Sequence, residues 1–126
     1  MKYLLDTNAL IYLHDGKLAE NLPTGYYAYS VISEIELLSW PEIQQKQEQK
    51  LRELLTTLRR IEVDAAVRET AIRLRREHRL KLPDALIAAS ALVLDATLLT
   101  NDQRLTALPI LRCQQLALIH AHAKLE

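Results

Sequence analysis

The sequence predicts an α/β protein, a three-layer α/β/α sandwich in which helices cover both faces of a short, mainly parallel sheet. Three observations support this fold class. Short apolar and β-branched runs alternate along the chain with longer segments of helical periodicity, and this alternation favours a parallel sheet. Residues 84–94 are apolar on nearly every side, as in a helix that is buried on most of its surface. The length of 126 residues suits one hydrophobic core, so we expect a single domain over residues 1–126.

The first part of the chain predicts two strand–helix units. The apolar residues 2–5 are followed by Asp6, a residue type that caps helices, and by apolar residues at helical spacing. Residues 26–32 follow a turn at 23–25 and are rich in aromatic and β-branched side chains, as strands are. Ser33 is the predicted cap of the next helix.

Four more helices and two short strands complete the prediction. Pro41 suits the first turn of a third helix, which has an apolar stripe beneath a Gln- and Lys-rich face. Residues 60–63 are a predicted strand, and Asp64 is the predicted cap of a charged helix. The dipeptide 82–83, Leu-Pro, sets the start of the buried helix. Residues 97–100 are a further predicted strand, which a short last helix follows.

Composition and charge exclude several classes of protein. Apolar residues make up 49% and charged residues 25%, as in ordinary globular domains. Lysine plus arginine equal aspartate plus glutamate at 16 each, so binding of nucleic acid would need a local basic patch. The single cysteine, Cys113, excludes an internal disulfide and a cysteine-based zinc site. Because no apolar stretch suits a signal peptide or a membrane span, we expect a cytoplasmic protein; Leu125 and Glu126 are consistent with an expression-vector remnant.

Four acidic residues are predicted to converge at one edge of the sheet. Asp6 ends the first strand and Asp102 follows the strand 97–100, so both lie at the carboxyl edge, where open α/β folds bind ligands. Asp84 enters the same region from the start of the buried helix. Glu36 lies about one turn into the second helix and can reach the edge with its longer side chain.

Converging carboxylates indicate a divalent cation, because they repel one another unless a positive charge lies between them. Oxygen ligands without cysteine or a histidine cluster select Mg²⁺ or Mn²⁺. Such an ion can activate a bound water as a nucleophile and can stabilise charge on a phosphoryl oxygen.

The same residues also have a purely structural explanation. Aspartate is favoured at helix caps and in the first helical turn, so Asp6, Asp84 and Asp102 can each be caps. Glu36 can be a solvated surface residue. Glu34 points to a different helix face and is the alternative to Glu36 if the helical register differs.

Four segments, in this order, resemble the acidic motifs of PIN-domain nucleases. They are LLDTN at 4–8, SVISEIELL at 30–38, LPDALIAA at 82–89 and LTND at 99–102. The resemblance spans almost the whole chain, and the chain length is similar to that of the VapC toxins of bacterial toxin–antitoxin pairs.

The resemblance implies an activity, a metal site and partners. It implies Mg²⁺- or Mn²⁺-dependent hydrolysis of RNA that leaves a 5′-phosphate and a 3′-hydroxyl. It also implies an antitoxin that wraps an apolar groove and screens the acidic site, and self-association as a homodimer. The serine-to-glutamate interval of the second motif favours Glu36 over Glu34 as the metal-binding glutamate. The implied metal ligands are Asp6, Glu36, Asp84 and Asp102, and the implied supporting residues are Asn8, Ser30 and Thr100.

Two rival functions remain open on the sequence. A Mg²⁺-dependent phosphohydrolase or phosphoacceptor would use Asp6 as a covalent nucleophile, but it would want an Asp-x-Asp pair or an activating lysine, and Asn8 stands at the second position. A catalytically silent PIN-fold binding module is the other rival, and the retention of all four carboxylates speaks against it.

Other residues carry weaker signals. Trp40 stands where many relatives carry a small residue. We interpret it as packing beside Pro41 rather than as a platform for a base, and an exposed tryptophan here would be able to contact RNA or a partner. Arg104 is placed either to meet a substrate phosphate or to form a local ion pair. The arginine-rich run 68–79 is interpreted as a solvated helix face. His120 and His122 are not expected to bind metal, because their spacing does not put both rings on one helix face.

Overall fold

The computed structural model describes residues 1–119. The interpretations of His120 and His122, and of Leu125 and Glu126, therefore concern positions outside the described residues.

The described chain forms one parallel sheet of five strands, in the order β3-β2-β1-β4-β5. The strands are β1 (Lys2–Leu5), β2 (Tyr26–Ser30), β3 (Arg59–Ile61), β4 (Thr97–Leu99) and β5 (Cys113–Gln114). Strand β1 lies in the centre and pairs with β2 on one side and with β4 on the other. The carboxyl ends of β1 and β4 are therefore adjacent, with Leu5 opposite Leu99.

Helices cover both faces of the sheet. They are α1 (Thr7–His14), α2 (Val31–Leu38), α3 (Gln45–Thr56), α4 (Ala65–His78), α5 (Leu82–Leu94) and α6 (Gln103–Thr106). Successive residues of a strand face opposite layers. Leu4 and Leu98 pack in one core, with residues of α4 and α5. Leu5 and Leu99 pack in the other core, with residues of α1, α2 and α3. The predicted three-layer α/β/α sandwich is confirmed.

Two helices keep the buried and exposed faces that the sequence predicts. In α4, Val67, Ala71 and Leu74 are buried, and the arginines of the helix are exposed. In α5, seven consecutive residues from 85 to 91 are buried, so this helix is enclosed on most of its surface. Among residues 1–119, no helix is both long and apolar enough to cross a bilayer.

The predicted boundary between β2 and α2 is wrong by about two residues. The strand ends at Ser30, whose Oγ accepts a 3.1 Å hydrogen bond from the Ile32 backbone N–H, and α2 begins at Val31. Ser33, the predicted cap, is fully buried inside the helix. The β-branched Val31 and Ile32 favour a strand by propensity, but a capped helix start overrides that weak preference.

Three further boundaries differ from the sequence prediction. Strand β4, predicted over 97–100, ends at Leu99. Strand β3 covers Arg59–Ile61 instead of 60–63, because its partner β2 ends at Ser30, which pairs with Ile61. Helix α3 begins at Gln45, and Pro41 lies in the turn before it. Strand β5 has only two residues and was not predicted, since so short a segment carries no periodicity.

Candidate metal centre

Two predicted site residues sit at helix N-termini beside the adjacent ends of β1 and β4. The carboxylate of Asp6 accepts a 2.7 Å hydrogen bond from the Ala9 backbone N–H and caps α1. Asp102 caps α6 by accepting a 2.9 Å hydrogen bond from the Arg104 backbone N–H. The Asp6 backbone N–H donates to Leu99 O at 3.2 Å, which fixes Asp6 against the end of β4. The capping role considered for these aspartates is therefore real, and it places both side chains at the carboxyl edge.

Asp84 lies in the first turn of α5 but does not cap it. The N-cap is Lys81, and Pro83 occupies the first turn, where its missing N–H costs nothing. The Asp84 Oδ2 atom lies 3.5 Å from a guanidinium nitrogen of Arg104. Asp84 therefore faces α6, the helix that Asp102 caps.

Glu36 and Glu34 turn toward different neighbours. Glu36 Oε1 accepts a 2.6 Å hydrogen bond from the hydroxyl of Thr7, the residue that follows Asp6 in the chain. Glu36 itself is exposed. Glu34 Oε1 instead lies 3.4 Å from the Tyr29 hydroxyl and 3.4 Å from an Arg60 guanidinium nitrogen. Of the two glutamates, Glu36 is the one beside the acidic residues.

The carboxylates share one electrostatic environment. Burial raises the pKa of Asp6; the negative charges of Asp102 and Asp84 raise it further, and the Thr100 hydroxyl and the Ala9 amide oppose the increase. Burial also raises the pKa of Asp84, and the charges of Asp102 and Glu36 add to this effect against Arg104 and Lys81. All four predicted carboxylates therefore take part in one set of mutually repelling charges.

This donor set fits a hard divalent cation. It offers only oxygen ligands, and the partly desolvated carboxylates gain from a positive charge between them. Among residues 1–119, no three acidic, histidine or cysteine side chains stand at the separations of an assembled metal site. In this arrangement Glu36 accepts a hydrogen bond from Thr7, and Asp84 and Asp102 both lie within 3.5 Å of the Arg104 guanidinium.

Residues 3–111 match the family model of the PIN domain. The chain belongs to the PIN domain family.

Solved structures of toxin–antitoxin proteins share this PIN fold. One such structure is VapBC2 from Rickettsia felis, bound to a DNA fragment from the VapBC2 promoter. It matches with a TM-score of 0.77 at 25% identity, over 92% of this chain and 99% of that chain. A toxin–antitoxin complex from Klebsiella pneumoniae matches with a TM-score of 0.74 at 32% identity, over 86% of this chain and 94% of that chain. DNA-bound VapBC from Salmonella typhimurium has a TM-score of 0.77 at 22% identity, over 91% of this chain and 98% of that chain, and shows the fold alone.

The comparison with curated proteins gave no match. The family model and the toxin–antitoxin structures confirm the resemblance to VapC-type PIN toxins. PIN-domain proteins of this type are nucleases generally, so membership in the family supports a nuclease as the functional class.

The implied supporting residues have unequal environments in this PIN chain. Thr100 is fully buried, and its Oγ1 accepts a 3.0 Å hydrogen bond from the Asp102 backbone N–H. Ser30 is also fully buried and caps α2, the helix that carries Glu36. Asn8 is exposed in the first turn of α1.

Sequence reasoning missed two hydroxyl residues, Thr7 and Ser33. The Thr7 Oγ1 atom lies 2.6 Å from Glu36 Oε1 and 2.8 Å from Ser33 Oγ. A signal was present, because Thr7 follows Asp6 directly and Ser33 precedes Glu36 by three positions, which puts both α2 residues on one helix face.

An apolar groove adjoins the acidic residues on the side of α1, α2 and α3. Its apolar lining comes from Ile11, Leu37, Trp40 and Leu51, and Glu36 also lines it. The interpretation of Trp40 as a packing residue is wrong in part, because Trp40 is 50% exposed and lines this groove.

Proposed function

We propose that this PIN-domain chain is a Mg²⁺- or Mn²⁺-dependent endoribonuclease that acts in the cytoplasm as the toxin of a toxin–antitoxin pair. One observation carries the proposal: Asp6 and Asp102 cap α1 and α6 beside the adjacent carboxyl ends of β1 and β4, and Asp84 faces α6. Burial and the repulsion between these carboxylates raise the pKa of Asp6 and of Asp84. An arrangement that costs stability without a cation is expected at a metal-dependent active site.

The roles of the carboxylates follow from their positions. Asp6, Asp84 and Asp102 would hold the cation, and Glu36 would bind it or orient the attacking water. When bound, the ion would lower the pKa of a coordinated water and stabilise charge on the phosphoryl oxygen. Asp6 is 6% exposed and is fixed by the Ala9 amide, so it provides a rigid ligand at the base of the crevice. Hydrolysis would leave a 5′-phosphate and a 3′-hydroxyl.

The apolar groove is the proposed contact for the antitoxin. The occupant we propose is an antitoxin segment whose apolar side chains cover Trp40 and Leu51 and whose basic end reaches Glu36. The position of the groove supports this, because its lining includes Thr7, which follows Asp6 in the chain, and Glu36, whose charge acts on Asp84. A segment bound here would screen the active site. Self-association as a homodimer rests on the family resemblance and is tested by light scattering of the antitoxin-free protein.

The decisive experiment uses purified, antitoxin-free protein and total cellular RNA, with Mg²⁺, with Mn²⁺ or with chelator. The variants are Asp6→Asn and Asp84→Asn, and Asn at position 6 can still cap α1. Asp95→Asn is the matched control, because Asp95 follows the far end of α5 and is 84% exposed. We expect metal-dependent cleavage by wild type and by the control and none by the other two variants.

The same experiment separates the rival functions. Cleavage that survives chelation or both substitutions would exclude the metal–carboxylate mechanism. A phosphoenzyme trapped on Asp6 would favour the phosphoacceptor, whereas a folded protein without activity under any metal would favour the silent binding module. Sequencing of the new 5′ ends would identify the RNA that is cut.

A further inference from the structure

A guanidinium group lies between two of the four carboxylates. The Nη2 atom of Arg104 is 3.5 Å from Asp84 Oδ2 and 3.4 Å from Asp102 Oδ2. The Arg104 backbone N–H donates to the other Asp102 oxygen, so the start of the side chain is fixed beside the crevice. The side chain is 60% exposed. The guanidinium of Arg104 therefore contacts both carboxylates while its side chain stays largely exposed to solvent.

These contacts hold the guanidinium weakly. Both distances exceed the 2.7–2.9 Å typical of strong charge-assisted hydrogen bonds, and exposed ion pairs contribute little to stability. One guanidinium also leaves a negative excess among Asp6, Glu36, Asp84 and Asp102. A divalent cation with oxygen ligands at about 2.1 Å would bind these carboxylates much more strongly and would repel the guanidinium.

Once displaced by the cation, the Arg104 guanidinium would be able to bind a phosphate of the RNA substrate. Arg104 is anchored on α6 next to Asp102, so its side chain stays at the mouth of the crevice when its head is released. The planar guanidinium matches two phosphate oxygens, which makes arginine well suited to bind a phosphodiester.

We propose that Arg104 exchanges partners during the reaction: it binds Asp84 and Asp102 in the metal-free protein, and it binds an RNA phosphate once a divalent cation has taken its place. The inference rests on the proposed function and adds a residue that both limits metal affinity and contacts the substrate.

Manganese binding to the RNA-free protein tests the first half of the exchange. Free Mn²⁺ is followed by electron paramagnetic resonance during titration of wild type, Arg104→Gln and Arg104→Lys. We expect Arg104→Gln to bind Mn²⁺ roughly threefold to tenfold more tightly, given the modest strength of exposed pairs, and Arg104→Lys to stay near wild type because it keeps the charge. Arg112→Gln is the control, since Arg112 is 62% exposed and pairs with Asp95 at the far end of α5. It should bind Mn²⁺ like wild type.

Steady-state cleavage of a fluorescent oligoribonucleotide at saturating Mn²⁺ tests the second half. The oligoribonucleotide carries the site found in total RNA. We expect Arg104→Gln to raise KM about tenfold with a smaller change in kcat, and circular dichroism should show a folded protein. Unchanged or weaker Mn²⁺ binding by Arg104→Gln, or an unchanged KM, would overturn the exchange while leaving the nuclease proposal intact. Failure of wild type to bind Mn²⁺ would overturn both.

Discussion

The Thr7 hydroxyl donates a 2.6 Å hydrogen bond to Glu36 Oε1, and the two residues lie 29 positions apart in the sequence. Ser33 Oγ is 2.8 Å from the same Thr7 oxygen. Because Thr7 has a single hydroxyl proton and gives it to Glu36, Ser33 must donate its own proton to Thr7. The fully buried Ser33 thus fixes Thr7, and Thr7 fixes the carboxylate of the exposed Glu36.

Removal of the Thr7 hydroxyl should impair catalysis without unfolding the protein. We expect Thr7→Val, which keeps the side-chain shape, to lower the cleavage rate or the Mn²⁺ affinity about tenfold, a typical effect of losing a group that orients a ligand. Thr7→Ser restores the hydroxyl and should recover most of the activity. Equal losses in both variants would show that the hydroxyl is not the cause.

Substitution of the two glutamates should separate their roles. Glu36→Gln is expected to reduce cleavage strongly, because it removes the carboxylate proposed to bind the cation or to orient the attacking water. Glu34→Gln should leave the cleavage rate within a few-fold of wild type, because Glu34 contacts Tyr29 and Arg60 instead. Rates measured side by side at saturating metal decide this. Loss of activity in Glu34→Gln alone would assign the metal site to Glu34.

Asp84→Asn should stabilise the metal-free protein at neutral pH. The pKa of Asp84 is raised in the folded state, so the fold retains a proton that the unfolded chain releases. At a pH near or below 3.8, the usual pKa of an aspartate, Asp84 destabilises the fold least. As the pH rises from there through the raised pKa of the folded state, the destabilisation by Asp84 grows.

Urea unfolding in chelator at several pH values measures this effect. The midpoint of Asp84→Asn should exceed that of wild type at pH 7, and the difference should vanish toward pH 4. Addition of Mn²⁺ should stabilise wild type but not the variant. Asp95→Asn removes the same charge elsewhere and controls for net charge. A wild type more stable than Asp84→Asn in chelator at pH 7 would contradict the repulsion.

Asn101 should matter for stability, because its side chain binds the backbone of the C-terminal segment. Its Oδ1 accepts from the Leu116 N–H at 2.7 Å, and its Nδ2 donates to the Leu116 carbonyl at 3.0 Å. Asn101→Ala leaves both groups without this partner and should lower the free energy of unfolding by about 1–3 kcal/mol. Asn21→Ala, at an exposed position, is the control and should change it little. Chemical denaturation measures both.

Trp40 should contribute to antitoxin binding and not to catalysis. With the cognate antitoxin in hand, Trp40→Ala is expected to weaken the complex at least tenfold, as for an aromatic anchor at an interface, while RNA cleavage by the free toxin persists. Isothermal titration calorimetry measures the binding of the antitoxin, and a cleavage assay measures the RNA cleavage by the free toxin. Ile110→Ala is the matched control, because Ile110 is a 60% exposed apolar residue that lies outside the groove lining. Equal binding by wild type and Trp40→Ala would exclude the groove as the docking site.

Periodic and local signals predicted the parts of the fold that depend on neighbours in the chain. The sequence indicated the buried α5 and the outward arginines of α4, because helical spacing decides which face a residue lies on. It also indicated the caps Asp6, Asp64 and Asp102, because a cap needs only one side chain and a nearby N–H. The boundary at Ile61 was missed because pairing with β2 decided it, and the boundary at Ser30 was missed because a helix cap outweighed the strand propensity of Val31 and Ile32.

The sequence by itself determined that Asp6, Asp84 and Asp102 belong to one edge, because a parallel sheet brings the residues after β1 and β4 together and α5 starts beside them. Only the tertiary structure decided that Glu36 bonds to Thr7 while Glu34 bonds to Tyr29 and Arg60, and that Arg104 lies between Asp84 and Asp102. The physical reason is range. Helical periodicity and capping act over a few residues, whereas these side-chain contacts join separate elements whose relative placement is fixed by packing on the sheet.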